Sequence, residues 1–178
     1  MSKAKEDFEV LPFTIIVDTS EQHPYRFDCI PGDAKNKGEF LFVPLEYKSL
    51  ETGDYSIKGM EHLVSVERKS LSDAYGTFGG GRKRFVRELE RFRAMEFGAV
   101  VIEADWKAIL KYQNEHGPSE SGREFTPKHF YRTVIAWQQR FPYVHWWPCW
   151  TRNFAERTTF RILQRFWQDT QEGKRAKR

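Results

Sequence analysis

Hydrophobic and polar positions along the chain fall into short, well-separated blocks. Residues 13–17 (FTIIV) are continuous, apolar and β-branched, which predicts a short buried strand. The strand ends at Asp18-Thr19-Ser20-Glu21, and the polar, proline- and glycine-containing stretch to about Gly38 predicts a loop. Residues 40–50 predict one or two strands interrupted at Pro44. Gly53-Asp54-Tyr55 follows, then a turn near Gly59, then a strand over residues 63–69 (LVSVERK). Residues 82–95 have helical period, with Phe85, Leu89 and Phe92 as the apolar stripe. Gly98 is expected to end that helix and admit a strand over 99–103. Thr126-Pro127 reads as an N-cap and first helical position, opening a helix with Phe130, Val134, Trp137 and Phe141 on one face. Residues 144–147 predict a last strand stopped by Pro148. Asn153, with Glu156 three residues on, is expected to cap a final helix carrying Phe160, Leu163 and Trp167 inward. Strands alternating with helices predict an α/β fold, a mixed central sheet flanked by helices.

Composition narrows this further. The chain has 178 residues, 39% hydrophobic and 16% aromatic, enough for one domain with a real core. We expect a flexible segment over 1–10, a domain over 11–170 and a basic tail over 171–178. No apolar run approaches the ~18 residues of a membrane span, and the charged start has no apolar stretch behind it. Cys29 and Cys149 are too few for a disulfide framework or a four-thiolate zinc site. A reduced, intracellular setting is therefore expected. The five histidines show no metal-ligand spacing. Lys and Arg exceed Asp and Glu by 29 to 25, and a net charge of +4 says nothing by itself about nucleic acid.

The placement of charge says more. Asp18, Glu21, Asp54 and Glu67 stand at or just beyond predicted strand ends, where ligand sites gather in α/β sheets. Side chains alternate along a strand, so Glu67 and Lys69 share one face while Arg68 points to the other with Val64 and Val66. Asp54 lies 13 residues before Glu67, a spacing that suits antiparallel neighbours and would set the two carboxylates side by side. Two such groups repel unless a cation lies between them. Hard oxygen donors without His or Cys favour Mg²⁺ or Mn²⁺. A lysine on the same face can activate a water or steady charge on a phosphate oxygen. Glu103 is a further peripheral acid.

These residues resemble a known family. Gly53-Asp54-Tyr55 followed by Val66-Glu67-Arg68-Lys69-Ser70-Leu71-Ser72-Asp73 resembles the GDx(n)ERKx3D signature of XPF/Hef-type nuclease domains, within the restriction-endonuclease-like PD-(D/E)XK superfamily. Val17-Asp18-Thr19-Ser20-Glu21 is similar to the family's VDxRE segment, with Ser20 where arginine is usual, and Gly81-Arg82 resembles its glycine-arginine position. The resemblance implies metal-dependent cleavage of DNA phosphodiesters at branched, flap or fork structures. It implies Mg²⁺ or Mn²⁺ held by Asp54 and Glu67 with Asp18, Lys69 as the catalytic lysine, Glu21 completing the acidic site, and Arg68, Asp73 and Arg82 in support. The length leaves no room for a helix-hairpin-helix module, so a standalone nuclease domain is expected. Gly76–Lys83 lacks the Gly-Lys-Ser/Thr ending of a P-loop, and no nucleotide cofactor is expected.

The helix after Gly81 suits DNA as partner. Arg82, Lys83, Arg84, Arg87 and Arg91 are the candidate phosphate contacts, the last four opposite the apolar stripe. Tyr143, Trp146, Trp147 and Trp150 read as core or as part of a homodimer surface with the C-terminal helices. Two rival readings stand beside the nuclease: a non-catalytic DNA-binding scaffold with the same fold, and a restriction- or resolvase-type enzyme with another DNA substrate.

Overall fold

The computed structural model of the chain describes residues 9–32, 40–112 and 124–174. In chain order the elements are β1 (Glu9–Val10), β2 (Ile15–Val17), β3 (Leu41–Phe42), β4 (Leu45–Tyr47), β5 (Tyr55–Ile57), β6 (Val64–Lys69), α1 (Leu71–Phe78), α2 (Arg82–Arg91), β7 (Phe97–Ile102), α3 (Trp106–Lys111), α4 (Pro127–Arg140), β8 (Val144–Pro148) and α5 (Arg152–Gln171). A 3₁₀ turn, Phe92–Ala94, follows α2. The fold is mixed α/β. Its six-stranded sheet has the order β4-β2-β5-β6-β7-β8, and β1 and β3 pair apart from it. β5 runs antiparallel to both β2 and β6, while β6, β7 and β8 are parallel.

The two faces of this sheet are packed differently. Alternation along β6 and β7 sends Val64, Val66, Ala99 and Val101 into a core with α5, where Phe160, Leu163 and Phe166 are buried. It sends Val100 and Ile102 into a second core with α1, α2 and α4, built on Phe78, Phe85, Leu89, Phe130 and Trp137. Both faces of the central strands are covered, as parallel strands require.

Several expectations needed correction. Gly98 does not end the helix; it lies inside β7, where a Cβ would come within 2.4 Å of the Phe92 ring. The helix from Arg82 is shorter than expected, closing in the 3₁₀ turn. α5 is capped by Thr151, whose hydroxyl accepts the Phe154 N–H, and not by Asn153. β1, α1 and α3 were not anticipated. Their apolar periodicity is too short to read, and tertiary contact sets them. Of the termini, residues 1–8 and 175–178 lie outside the described residues, while Glu9–Val10 pair with β3 and α5 reaches Gln171. Trp146 faces the core, stacked on Trp137, but Trp147 and Trp150 face outward. No helix among the described residues is long and apolar enough to cross a membrane.

Candidate active site

The acids converge because of strand register. Tyr55 pairs with Val66 on antiparallel β5 and β6, which sets Asp54 and Glu67 opposite each other one step further along. Gly53 makes this possible: its φ of +73° is left-handed, and a Cβ there would lie 2.2 Å from the Ser65 hydroxyl. The Asp54 carboxylate accepts the Arg68 backbone N–H at 2.6 Å, which locks the end of β5 to β6.

Glu67 and Lys69 lie on the α2 face, as alternation requires. Glu67 is only 3% exposed and forms an ion pair with the Lys69 ammonium. The ammonium also lies 5.4 Å from the Phe85 ring of α2. Burial pushes the Glu67 carboxyl up to about 8, against the pull of Lys69, and Glu88 on α2 adds to the rise through its charge and a hydrogen bond. Burial and then the Glu67 charge hold Asp54 well above the ordinary carboxylate range, with Lys69 opposing. Burial alone would lower Lys69, but Glu67, Asp54 and Glu88 outweigh it and keep the ammonium charged. Three carboxyl groups thus act on one ammonium in a dry site.

This donor set suits a divalent cation in part. Asp54 and Glu67 are hard oxygen donors whose charges oppose each other and whose burial leaves negative charge undersatisfied. Asp18 stands beside Asp54, its backbone N–H donating to the Asp54 carbonyl at 2.8 Å. Its carboxylate accepts the Leu50 N–H at 2.7 Å and both the backbone N–H and hydroxyl of Ser20, so it organises the loop after β2. Among the described residues no three His, Cys, Asp or Glu side chains are grouped to hold a metal ion.

The opposite face of β6 carries a different assembly. Arg68 donates two hydrogen bonds to Glu103, at 2.8 and 3.0 Å, and one to Glu21 at 3.1 Å. Arg152, from the start of α5, donates to the same Glu103 at 2.8 Å and to the carbonyls of His23 and Pro24. Both guanidiniums lie against the ring of Tyr25, at 5.6 and 4.9 Å. Glu21 therefore pairs with Arg68, and its charge adds to the rise of Asp54. Asp73 accepts the Ser70 hydroxyl at 2.6 Å and stabilises the first turn of α1.

The basic helix divides in two. Arg82 stacks 4.7 Å from the Trp137 ring and donates to Thr133, and Arg91 donates to Thr52. Lys83, Arg84 and Arg87 are exposed, and among the described residues Arg84 and Arg87 have no ion-pair partner. Glu88 is not among the acids singled out from the sequence. The available signal was its position in the stripe of Phe85, Leu89 and Phe92, where a carboxylate must face the sheet.

No protein-family model matches the chain, and no curated protein matches it. Solved structures do resemble it. XPF from Aeropyrum pernix matches with a TM-score of 0.54 at 19% identity, over 89% of this chain and 69% of that one. XPF from Aeropyrum pernix in complex with DNA matches with a TM-score of 0.53 at 15% identity, over 93% of this chain and 68% of that one. The chain thus shares the fold of an archaeal XPF, and its Asp54–Glu67–Lys69 cluster lies at the end of that fold's central strands.

Proposed function

We propose that the chain is a Mg²⁺- or Mn²⁺-dependent endodeoxyribonuclease that hydrolyses phosphodiester bonds in branched, flap or fork DNA. The observation that carries this reading is the buried Asp54–Glu67–Lys69 cluster, held at adjacent strand ends in an XPF-like fold. Asp54 and Glu67 would hold the cation, which supplies charge neutralisation at the phosphate and acidifies a bound water. Lys69 places a fixed positive charge beside the reacting phosphate. Glu88 hydrogen-bonds Glu67, and its charge helps keep Lys69 protonated. Asp18 and Glu21 act through position, one holding the loop after β2 and the other holding Arg68. Arg84 and Arg87, with Lys83, present charge toward the backbone of bound DNA.

A panel of flap, fork, four-way junction, linear duplex and single-stranded DNA, each with Mg²⁺, Mn²⁺ or EDTA, tests the reading. Metal-dependent cutting that prefers branched DNA supports it, whereas equal cutting of plain duplex favours a restriction-type activity. Tight binding without any cleavage would instead establish a non-catalytic DNA-binding scaffold.

We place a homodimer contact on the β8–α5 side, where exposed Trp147 and Phe154 border a groove floored by Phe97, Ile162 and Phe166. Light scattering of the purified protein should give twice the chain mass, and Phe154→Glu should return it to the monomer.

A further inference from the structure

The α5 side of the sheet end holds a second cavity that the proposed chemistry does not use. It measures about 530 Å³ and is lined by His23, Arg26, Arg68, Glu103 and Arg152 among others. Arg68 lines it, and Arg68 lies between Glu67 and Lys69 in β6, so the cavity opens directly across the strand end from the metal-binding acids. Three guanidiniums line it; Glu103 and Glu21, the latter paired with Arg68, balance two of them, so Arg26 leaves an excess of one positive charge.

The groups in that wall are of two kinds. Arg68 and Arg152 are fixed: both grip Glu103, and Arg152 also holds the backbone carbonyls of His23 and Pro24 at 2.7 and 3.1 Å. Arg26 and His23 are exposed, and among the described residues neither side chain has a hydrogen-bonding or ion-pair partner. Their loop is nevertheless rigidly placed. Tyr25 and Phe27, on either side of Arg26, are each 1% exposed. Phe27 adopts a left-handed φ of 56°, rare for a bulky residue, and its N–H donates to Glu156 of α5 at 2.5 Å. Strain of this kind persists only where surrounding contacts impose it. Here they hold a free guanidinium at the mouth of a positive cavity.

We propose that this cavity binds a backbone phosphate of the DNA, with Arg26 and His23 as the contacting side chains and the Arg68–Glu103–Arg152 assembly as their fixed support. A phosphate is the ligand that solvent-facing guanidinium and imidazole donors with net positive charge select. The strand is thereby gripped on both faces of the sheet end, at the basic α2 surface and at the 22–28 loop. This inference rests on the nuclease reading.

The test is fluorescence anisotropy of a labelled DNA fork against the protein in EDTA, over a salt series, for the wild type, Arg26→Ala, Arg26→Lys and His23→Ala. Cleavage in Mn²⁺ is measured in parallel. Arg26→Ala should weaken binding about tenfold and reduce the log–log salt slope by about one, the loss of one phosphate contact. Arg26→Lys should keep the slope, and His23→Ala should weaken binding with the slope nearly unchanged. Thermal melting of Arg26→Ala should match the wild type, because among the described residues the exposed Arg26 side chain makes no hydrogen bond or ion pair. A wild type that binds and cuts DNA while Arg26→Ala and His23→Ala do so equally well overturns the cavity's role and leaves the nuclease reading intact. A wild type that neither binds nor cuts DNA overturns both.

Discussion

Asp54 and Glu67 face each other across antiparallel β5 and β6, and both are held above the ordinary carboxylate range by burial and by each other or a neighbouring acid. Folding forces them together because Gly53 lets the chain turn at φ +73° into a space that the Ser65 side chain already fills. A protein that concentrates buried carboxyl groups in this way gives up stability that a cation would restore.

That cost should be visible in the pH dependence of the metal-free protein. Glu67 is held near 8, above its ordinary value of 4.5, so the folded state binds its proton more tightly than the unfolded chain does. The Glu67 contribution is therefore greatest below the ordinary value and is lost as pH rises toward about 8. Thermal melts in EDTA should fall between pH 5 and pH 8, and Glu67→Gln should flatten that fall. Adding Mn²⁺ should raise the melting temperature more at the upper end of this range than at the lower. A flat profile for the wild type would contradict the burial argument.

Gly53→Ala should destabilise the fold by about 2 kcal/mol or more, from a left-handed backbone conformation and a blocked Cβ together. Gly59→Ala provides the control, since Gly59 has a similar φ of +80° but open space around it, and should cost about 1 kcal/mol. Chemical denaturation of the two variants separates the steric part from the conformational part.

Much of this was legible in the sequence, and the reasons are specific. Period-two alternation placed Glu67 and Lys69 on one face and Arg68 on the other, and the 13-residue spacing placed Asp54 beside Glu67. Asp18 has the same parity as these acids, yet its carboxylate is taken by the Leu50 N–H, a contact made across 32 residues that no local pattern reveals. Arg82 and Arg91 looked like surface bases because helical phase alone cannot show that a guanidinium folds back onto Trp137 or Thr52. α1 was invisible because residues 71–78 (LSDAYGTF) combine weak helix formers with buried aromatics.

Arg68→Ala should cost about 3 kcal/mol, because it leaves Glu21 buried without its cation and Glu103 with Arg152 alone, the two carboxylate side chains being 8% and 9% exposed. Arg68→Lys should recover little, since an ammonium cannot bridge both carboxylates with paired bonds. Denaturation midpoints measure this directly, and near-native stability of Arg68→Ala would contradict a supporting role.

The basic helix should split by function. Arg84→Ala and Arg87→Ala should each weaken DNA binding and lower the salt slope by about one while leaving the melting temperature unchanged. Arg82→Ala should instead lower the melting temperature, through loss of its stacking on Trp137 and its bond to Thr133. Equal loss of binding in all three with no change in stability would contradict the division.

The most direct test is cleavage of a DNA fork in Mn²⁺ by the wild type, Asp54→Asn, Glu67→Gln and Lys69→Ala, with circular dichroism confirming that each is folded. Activity in the wild type and a loss of at least about a hundredfold in every variant is the predicted result, in keeping with removal of a charge that stabilises the transition state. Undiminished cutting by folded Asp54→Asn and Glu67→Gln would contradict the central claim that these two opposed carboxylates form the catalytic centre.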